Sequence, residues 1–584
     1  MREKRPAALS VRVVARREDF PGARTAESAR THTRNQNSRT RRSALQGLRL
    51  RRVALLHFAA VAFFLSPPVC ALAAESYLDN GVVKVGVDLA KGGSITYLSQ
   101  SGSTNNLINN YDLGRQIQQS YYSGPQPYDP RNNVHPAWTN WPWNPIQTGD
   151  VYGHPSPILA HTNDGQTLYV KCRPMQWALN NVPGECTFES WLRLTGDVVT
   201  VSNRLLNART DTTQQFSARD QELPAVYTIG KLYRLFTYAG NAPFTGDAIT
   251  NLPAPGPPAW IRWRATESWA ALVDTNGWGL GIFHPGAIQF GGGFNSTPNT
   301  GGPNADPTGY MSPVQREILD SNIEYTFTYQ LILGTVAQIR DWVYAQTYRP
   351  ACDFVFNTNR QHWSYMLATD SGWPLTNNRV RVSLNGSDPQ IWSPATAFRA
   401  VDVPKLYIRA SYQIAHPAGR ATGQLFWETN GAGGLSEARS ARFPVLADGQ
   451  FHTYELNLAA SNNYSGLITQ LRLDPAFNGE PGDFVDVKAI SSSPFAGNET
   501  ILPSLNVAIT NTNIAVSFPT VSGATAGFIA NNLLYDLQSR PSLTTGGWQG
   551  VAGYTNVIGD NLPRSCTNSP SASALYYRVG LRLQ

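Results

Sequence analysis

The sequence predicts an all-β chain: a large sandwich of two extended sheets followed by two smaller β domains. Three observations predict this. Hydrophobic and polar residues alternate at period two over many short runs bounded by Gly, Pro and Asn. Charged residues make up only 15% of the 584, while Gly (49), Pro (40) and aromatics (11%) are plentiful, the balance of a loop-rich extracellular β protein. Helical spacing is found in a single segment, VAQIRDWVYAQ at 336–346. A chain of this length is too long for one core, so two to four are expected.

The leader comes first. Residues 1–74 hold 15 Lys and Arg against 4 Asp and Glu, so residues 75–584 carry 32 basic and 36 acidic side chains. The formal charge of +7 therefore belongs to the leader, and a nucleic-acid partner loses its main support. Arg49, Arg51 and Arg52 precede an apolar run at 53–65, and ALAA at 71–74 offers a small-residue cleavage site. That is the pattern of a signal peptide, behind a disordered stretch at 1–40, and it predicts a secreted or cell-surface protein. No other run approaches the ~18 apolar residues of a membrane span. Four cysteines follow the leader: Cys172, Cys186, Cys352 and Cys566. An even number permits disulfides in an exported chain. Cys172 and Cys186 flank 13 residues and could staple neighbouring strands.

The first block is 75–350. Val83, Val85, Val87 and Leu89 alternate with Lys84, Gly86 and Asp88, and KGG at 91–93 turns the chain into SITYLS. Ile323, Tyr325, Phe327, Tyr329 and Leu331 alternate in the same way at its far end, and further strand candidates lie between (TLYVKC, CTFESWLRL, DVVTVSNRLLN, WAALVD, GLGIFH). The opening NGVVKVGVDLAKGGSITYLS, the polar NLINNYDLGRQIQ, and the later GWGLGIFHPG and LGTVAQIRDWVYAQ resemble the galactose-mutarotase-like super-sandwich proteins. That resemblance implies a fold shared by sugar epimerases and by domains of glycoside hydrolases and polysaccharide lyases. The epimerases' catalytic His motif followed by Tyr-Phe-Asn is absent, so epimerase activity does not carry over residue by residue.

The second block, 351–497, alternates short β runs with turns (VRVSL, KLYIRASYQ, GQLFWET, HTYELNL, ITQLRLDP, DFVDVKAI). It resembles the jelly-roll carbohydrate-binding modules of secreted polysaccharide enzymes. Trp363, Trp373, Trp392 and Trp427 are its candidate sugar platforms, with at least half expected in the core. Asp474, Asp483 and Asp486 could hold a structural calcium; no other cofactor or metal is expected. The third block, 498–584, is small and β, and resembles terminal immunoglobulin- or fibronectin-like modules that space or anchor.

Function is read from 111–156, where Trp138, Trp141 and Trp143 and several Tyr sit among Asn, Gln, Gly and Pro. Sugars offer C–H faces to flat rings and hydroxyl edges to amides and guanidinium groups. A polysaccharide or oligosaccharide is therefore the expected partner, bound by a monomer. Candidate binding residues are Arg115, Gln118, Tyr121, the three Trp, Asn144 and Gln147, joined by Arg219, Gln221 and Tyr227 from SARDQELPAVYTIG. Within that run Pro224 removes a ladder donor, which predicts a strand end or loop with Glu222 turned into a cleft. Tyr233 and Tyr238 nearby point the same way; an ion pair of Arg219 with Asp220 or Glu222 is the plainer alternative. Asp150 and His154 form a candidate proton-transfer pair against an Asp-stabilised turn. Glu267, flanked by Arg262 and Arg264, is a further acid candidate, with a salt bridge as the plainer alternative. Hydrolysis by a carboxylate pair is the leading expectation, elimination the second, and epimerisation the third. The rival is a non-catalytic glycan-binding protein.

Overall fold

The computed structural model describes residues 9–16, 75–128, 134–212, 214–256, 258–501, 504–510, 513–569 and 574–584. It is an all-β molecule of several antiparallel sheets. The expected signal segment at 53–65 lies outside the described residues. From the leader, Leu9–Arg16 forms a strand along Ala574–Leu583 in the last block.

The first block is a two-sheet sandwich. A ten-stranded sheet contains the series Trp260–Arg264, Gln289–Asn295, Thr308–Glu317, Arg219–Ile229, Ile117–Ser120, Ser94–Gln100, Val83–Asp88 and Glu75–Asp79. It faces a nine-stranded sheet centred on Trp278–Phe283, Glu324–Thr335, Val198–Asn207 and Cys186–Thr195. The alternation read from sequence sets which face is buried. Val83, Val85 and Val87 from one sheet meet Leu192, Val201, Leu205 and Leu331 from the other in one core. Each such side chain contributes about 1.5–3 kcal/mol on burial. The KGG turn is required by backbone shape: Gly92 and Gly93 lie at φ +61° and +69°, and a Cβ on Gly92 would stand 1.8 Å from the Gln147 carbonyl oxygen.

The helix is Val336–Ala345, started by a capping box between Thr335 and Gln338. Ile339 and Val343 bury against Trp269, Phe283 and Ile332 on the outer face of the nine-stranded sheet. The outer face of the ten-stranded sheet is thereby left for the site. No helix among the described residues is long and apolar enough to cross a membrane.

In the second block two six-stranded antiparallel sheets enclose their own core. Its tryptophans are not exposed platforms. Trp363 and Trp427 are fully buried, Trp392 lies half-buried beneath Arg472, and Trp373 packs against the first core. Asp474, Asp483 and Asp486 each pair with arginine (Arg472, Arg420 and Arg381 respectively) rather than facing a common centre. The last block packs a three-stranded and a five-stranded sheet on a third core. All four thiols are unbonded. Cys172 and Cys186 are buried in the first core, whereas Cys352 and Cys566 belong to the second and third cores and are not partners.

The first two blocks are in direct contact. Ile288 packs on Ala397 and Leu467, Asn430 Nδ2 donates to Asn241 Oδ1 at 2.8 Å, and Arg264 reaches Glu428 Oε2 at 3.4 Å.

Candidate functional site

The run RDQELP departs from the strand end or loop expected of it, because Pro224 lies inside a strand. Arg219–Ile229 is an interior strand of the ten-stranded sheet, between Thr308–Glu317 and Ile117–Ser120. The register explains how Pro224 is accommodated. Glu222 pairs with Val314 and Val226 with Met311 on one side, while Glu222 pairs with Ser120 and Ala225 with Gln118 on the other. The strand therefore carries one extra residue between 222 and 225, a β-bulge in which no ladder donor is demanded of proline. A bulge also re-aims the side chain beside it, and here that side chain is Glu222.

Glu222 stands in a cleft of about 410 Å³. The Tyr122 hydroxyl donates to its Oε2 at 2.9 Å, and the Tyr310 hydroxyl donates to Oε1. Tyr227 leans on Tyr310 with ring centroids 4.7 Å apart, and the exposed Trp260 meets the same ring edge-on at 5.1 Å. The facing wall is aromatic: Trp138 touches Trp141 at 4.6 Å and Trp177 at 6.1 Å, and Trp141 meets Tyr122 at 6.0 Å. Asn144 fixes Trp141 by accepting from its indole N–H at 2.8 Å. Gln118 lines the floor with its amide already used, donating to the Leu113 and Arg115 carbonyls and accepting from Thr148.

Two guanidinium groups border the cleft. Arg115 is pinned by Asp112 (3.3 Å) and Asp306 (2.8 Å) and lies over the Tyr111 ring. Arg262 is freer, more than half exposed, with Asp220 at 3.6 Å. Its side chain lies across Gly291, where a Cβ would come within 3.2 Å of Nη1. The GGG at 291–293 thus supplies a flat floor beneath an arginine.

Burial, and after it the adjacent Glu222 charge, pushes the Tyr122 and Tyr310 phenols well above the usual tyrosine range. Tyr227 is raised by the same two causes. The three phenols are therefore proton donors at neutral pH. An ordinary tyrosine is half ionised near pH 10, so wild type and Tyr310→Phe should give equal tyrosinate absorbance at that pH. A deficit of roughly half a tyrosinate in the variant would show that Tyr310 is unperturbed.

The structure brings together Glu222, Tyr227, Arg115, Gln118, Trp138, Trp141 and Asn144. The other candidates lie elsewhere. Asp150 is 1% exposed and accepts from the backbone N–H groups of Tyr152, His154 and Asn181 and from His154 Nδ1 at 2.9 Å. Its lone pairs fold a loop, so the Asp150 and His154 pair is a turn device. Glu267 is fully buried and is met by Arg340, not by Arg262 or Arg264, with further bonds from Trp269, Tyr344 and the Phe244 N–H. Tyr121 and Trp143 are core residues at 0% exposure, and so is Tyr238. Gln147 is spent on the Gln119 N–H and the Gly92 carbonyl. Arg219 holds Gly124 and Gln126. Gln221 acts behind the cleft: its amide accepts from the Tyr122 N–H and donates to the Tyr122 carbonyl, both at 2.8 Å, which sets that residue's position.

Tyr122, Tyr310, Trp177 and Trp260 are cleft residues that the sequence reading missed. The signal was present for two of them. In 308–317 the period-two pattern that buries Met311 turns Tyr310 to the other face, and in WIRWR it places Trp260 and Arg262 together.

No family model matches the chain, and no curated protein matches it. Similar solved structures include one described as an aldose 1-epimerase from Escherichia coli K12, at 13% identity, covering 45% of this chain and 100% of that one with a TM-score of 0.29. Another is a galactose mutarotase related enzyme from Lactobacillus acidophilus (11%, 44% and 97%, 0.28). A third is chondroitin AC lyase from Streptomyces coelicolor A3 (10%, 68% and 48%, 0.24). These are of the kind to which the sequence resemblance points. At such identities and TM-scores they carry no part of the functional reading, which rests on the geometry of the cleft.

Proposed function

We propose that the protein is a carbohydrate-active enzyme that cleaves a glycan chain in the Glu222 cleft, with Glu222 as the proton-transfer group. The observation that carries this reading is one half-buried carboxylate gripped by two phenols at the foot of a tryptophan-walled cleft. Rings of this kind suit sugar faces. A carboxylate hydrogen-bonded to two protonated phenols suits proton exchange with a bound substrate.

The groups present favour elimination over the two-carboxylate hydrolysis expected from sequence. Asp112 is the other carboxylate on the cleft wall, and it is bonded to Arg115 and to the Gly114 N–H. Elimination needs a base, a cation for the uronate carboxylate, and an acid for the leaving oxygen. Glu222, Arg262 and a phenol fill these parts. Glu222 takes the proton α to the uronate carboxylate, the electron pair forms the ring C=C bond, and the glycosidic C–O bond breaks. A phenol protonates the departing oxygen and recovers its proton from Glu222 along the hydrogen bond they share. Exported action is part of the proposal, suggested by the leader.

The test is incubation of the protein with acidic and neutral polysaccharides, following reducing ends and the absorbance of unsaturated uronates together. Elimination predicts that both signals rise in step. Reducing ends alone would indicate hydrolysis, and silence across the panel would favour a non-catalytic glycan-binding protein.

A further inference from the structure

Beside the cleft lies a second concavity of about 240 Å³, between the ten-stranded sheet and the second block. Its wall is built by register. Trp260, Arg262 and Arg264 share one face of their strand, Gln289 lies opposite Arg264, and Asp220 lies opposite Arg316 on the next pair. Ser393, Pro394, Ala395 and Gln470 of the second block close the far side.

The charges on this wall are unbalanced. Three arginines meet two carboxylates: Arg264 reaches Glu428, while Arg262 and Arg316 share Asp220, at 3.6 Å and 3.7 Å. Both contacts are long, and both guanidinium groups are more than half exposed. Arg264 reaches Glu428 at 3.4 Å and Gln470 Oε1 at 3.2 Å, outside bidentate geometry. Burial holds the Arg264 guanidinium below its usual range, and burial followed by the Arg316 charge does the same to Arg219. Positive charge is in excess here, with the exposed Arg262 and Arg316 sharing one carboxylate, in a block whose sequence is net negative as a whole. Arg262 lines both the groove and the Glu222 cleft, so one bound chain can occupy the two in succession.

We propose that this interdomain groove is an anion subsite, in which Arg262, Arg264 and Arg316 hold a carboxylate or sulfate ester of an acidic glycan running on from the Glu222 cleft. A planar guanidinium fork matches either group through paired hydrogen bonds, and Gln289 and Gln315 on the wall carry amides suited to neighbouring hydroxyls. The second block then completes the binding groove. This deepens the proposed function and rests on it for the direction of the chain.

Binding of polygalacturonate, dextran sulfate and neutral dextran to the protein separates the two proposals. The wild type should prefer one polyanion over dextran at least about tenfold, with the carboxylated or the sulfated probe identifying the anion. Arg264→Gln with Arg316→Gln should lose about tenfold of that preference, and the exposed Arg316→Gln alone about threefold. Arg193→Gln, a charge change on the opposite sheet equal to that of Arg316→Gln, should bind as wild type. Equal binding by the Arg264/Arg316 variant and the wild type, or no preference over dextran, overturns the subsite. Anion binding lost in that variant, in a protein that cleaves nothing, keeps the subsite and rejects the enzymatic reading.

Discussion

Glu222→Gln is expected to lower kcat on the cleaved glycan by about 10²–10⁴-fold, the range for loss of a positioned acid–base group. The substitution keeps size and one carbonyl oxygen, which can still accept from Tyr122 or Tyr310, so the cleft should retain its shape. It removes the negative charge and the capacity to take and return a proton. Substrate affinity, followed by quenching of tryptophan fluorescence from Trp138, Trp141 and Trp177, should change only a few-fold, since these rings do not depend on the carboxylate. A fall in kcat with Kd preserved separates proton transfer from a binding role. Activity within twofold of wild type would remove Glu222 from the mechanism.

Arg340→Met is expected to be the most destabilising single change, at about 3–5 kcal/mol. Glu267 is fully buried and takes both Nε and Nη2 of Arg340, at 3.0 and 2.9 Å. Removing the cation leaves a carboxylate in the interior with no opposite charge, which costs far more than an exposed pair would. Arg340 also packs against the Tyr238 and Tyr344 rings, each 5.0 Å away, and joins the helix Val336–Ala345 to the outer sheet face. The double variant Glu267→Gln with Arg340→Met should recover part of the loss, because the orphaned charge is gone. Chemical denaturation of the four proteins gives the coupling, and additive losses would mean that the pair is not energetically linked.

These two glutamates show what could be read from the sequence and what could not. Period-two alternation placed Val83, Val85 and Val87 and the run from Tyr325 to Leu331 in the core, because a half-buried strand repeats that pattern along its own length. The capped helix was legible for a similar local reason. Glu222 follows Arg219 and Glu267 follows Arg262 and Arg264 at similar spacing, and nothing local separates them. The difference arises from long-range packing: Arg340 arrives from 73 residues away to meet Glu267, while Tyr122 and Tyr310 approach Glu222 from separations of 100 and 88 residues. The aromatic stretch misled in a related way. Trp138 and Trp141 wall the cleft, but Trp143, two residues on, is in the core, since the loop crosses from one environment to the other within five residues. Pro224 signals a strand end or loop on local grounds alone, because sequence spacing does not reveal a bulge.

The most direct test of the cleft as the cleavage site is a crystal structure of Glu222→Gln soaked with an acidic oligosaccharide that the wild type cleaves. The expected result is an intact chain against Trp138 and Trp141, with its scissile oxygen within about 3.2 Å of the Tyr122 or Tyr310 hydroxyl. An oligosaccharide bound elsewhere on the molecule, with the Glu222 cleft empty, would contradict the account.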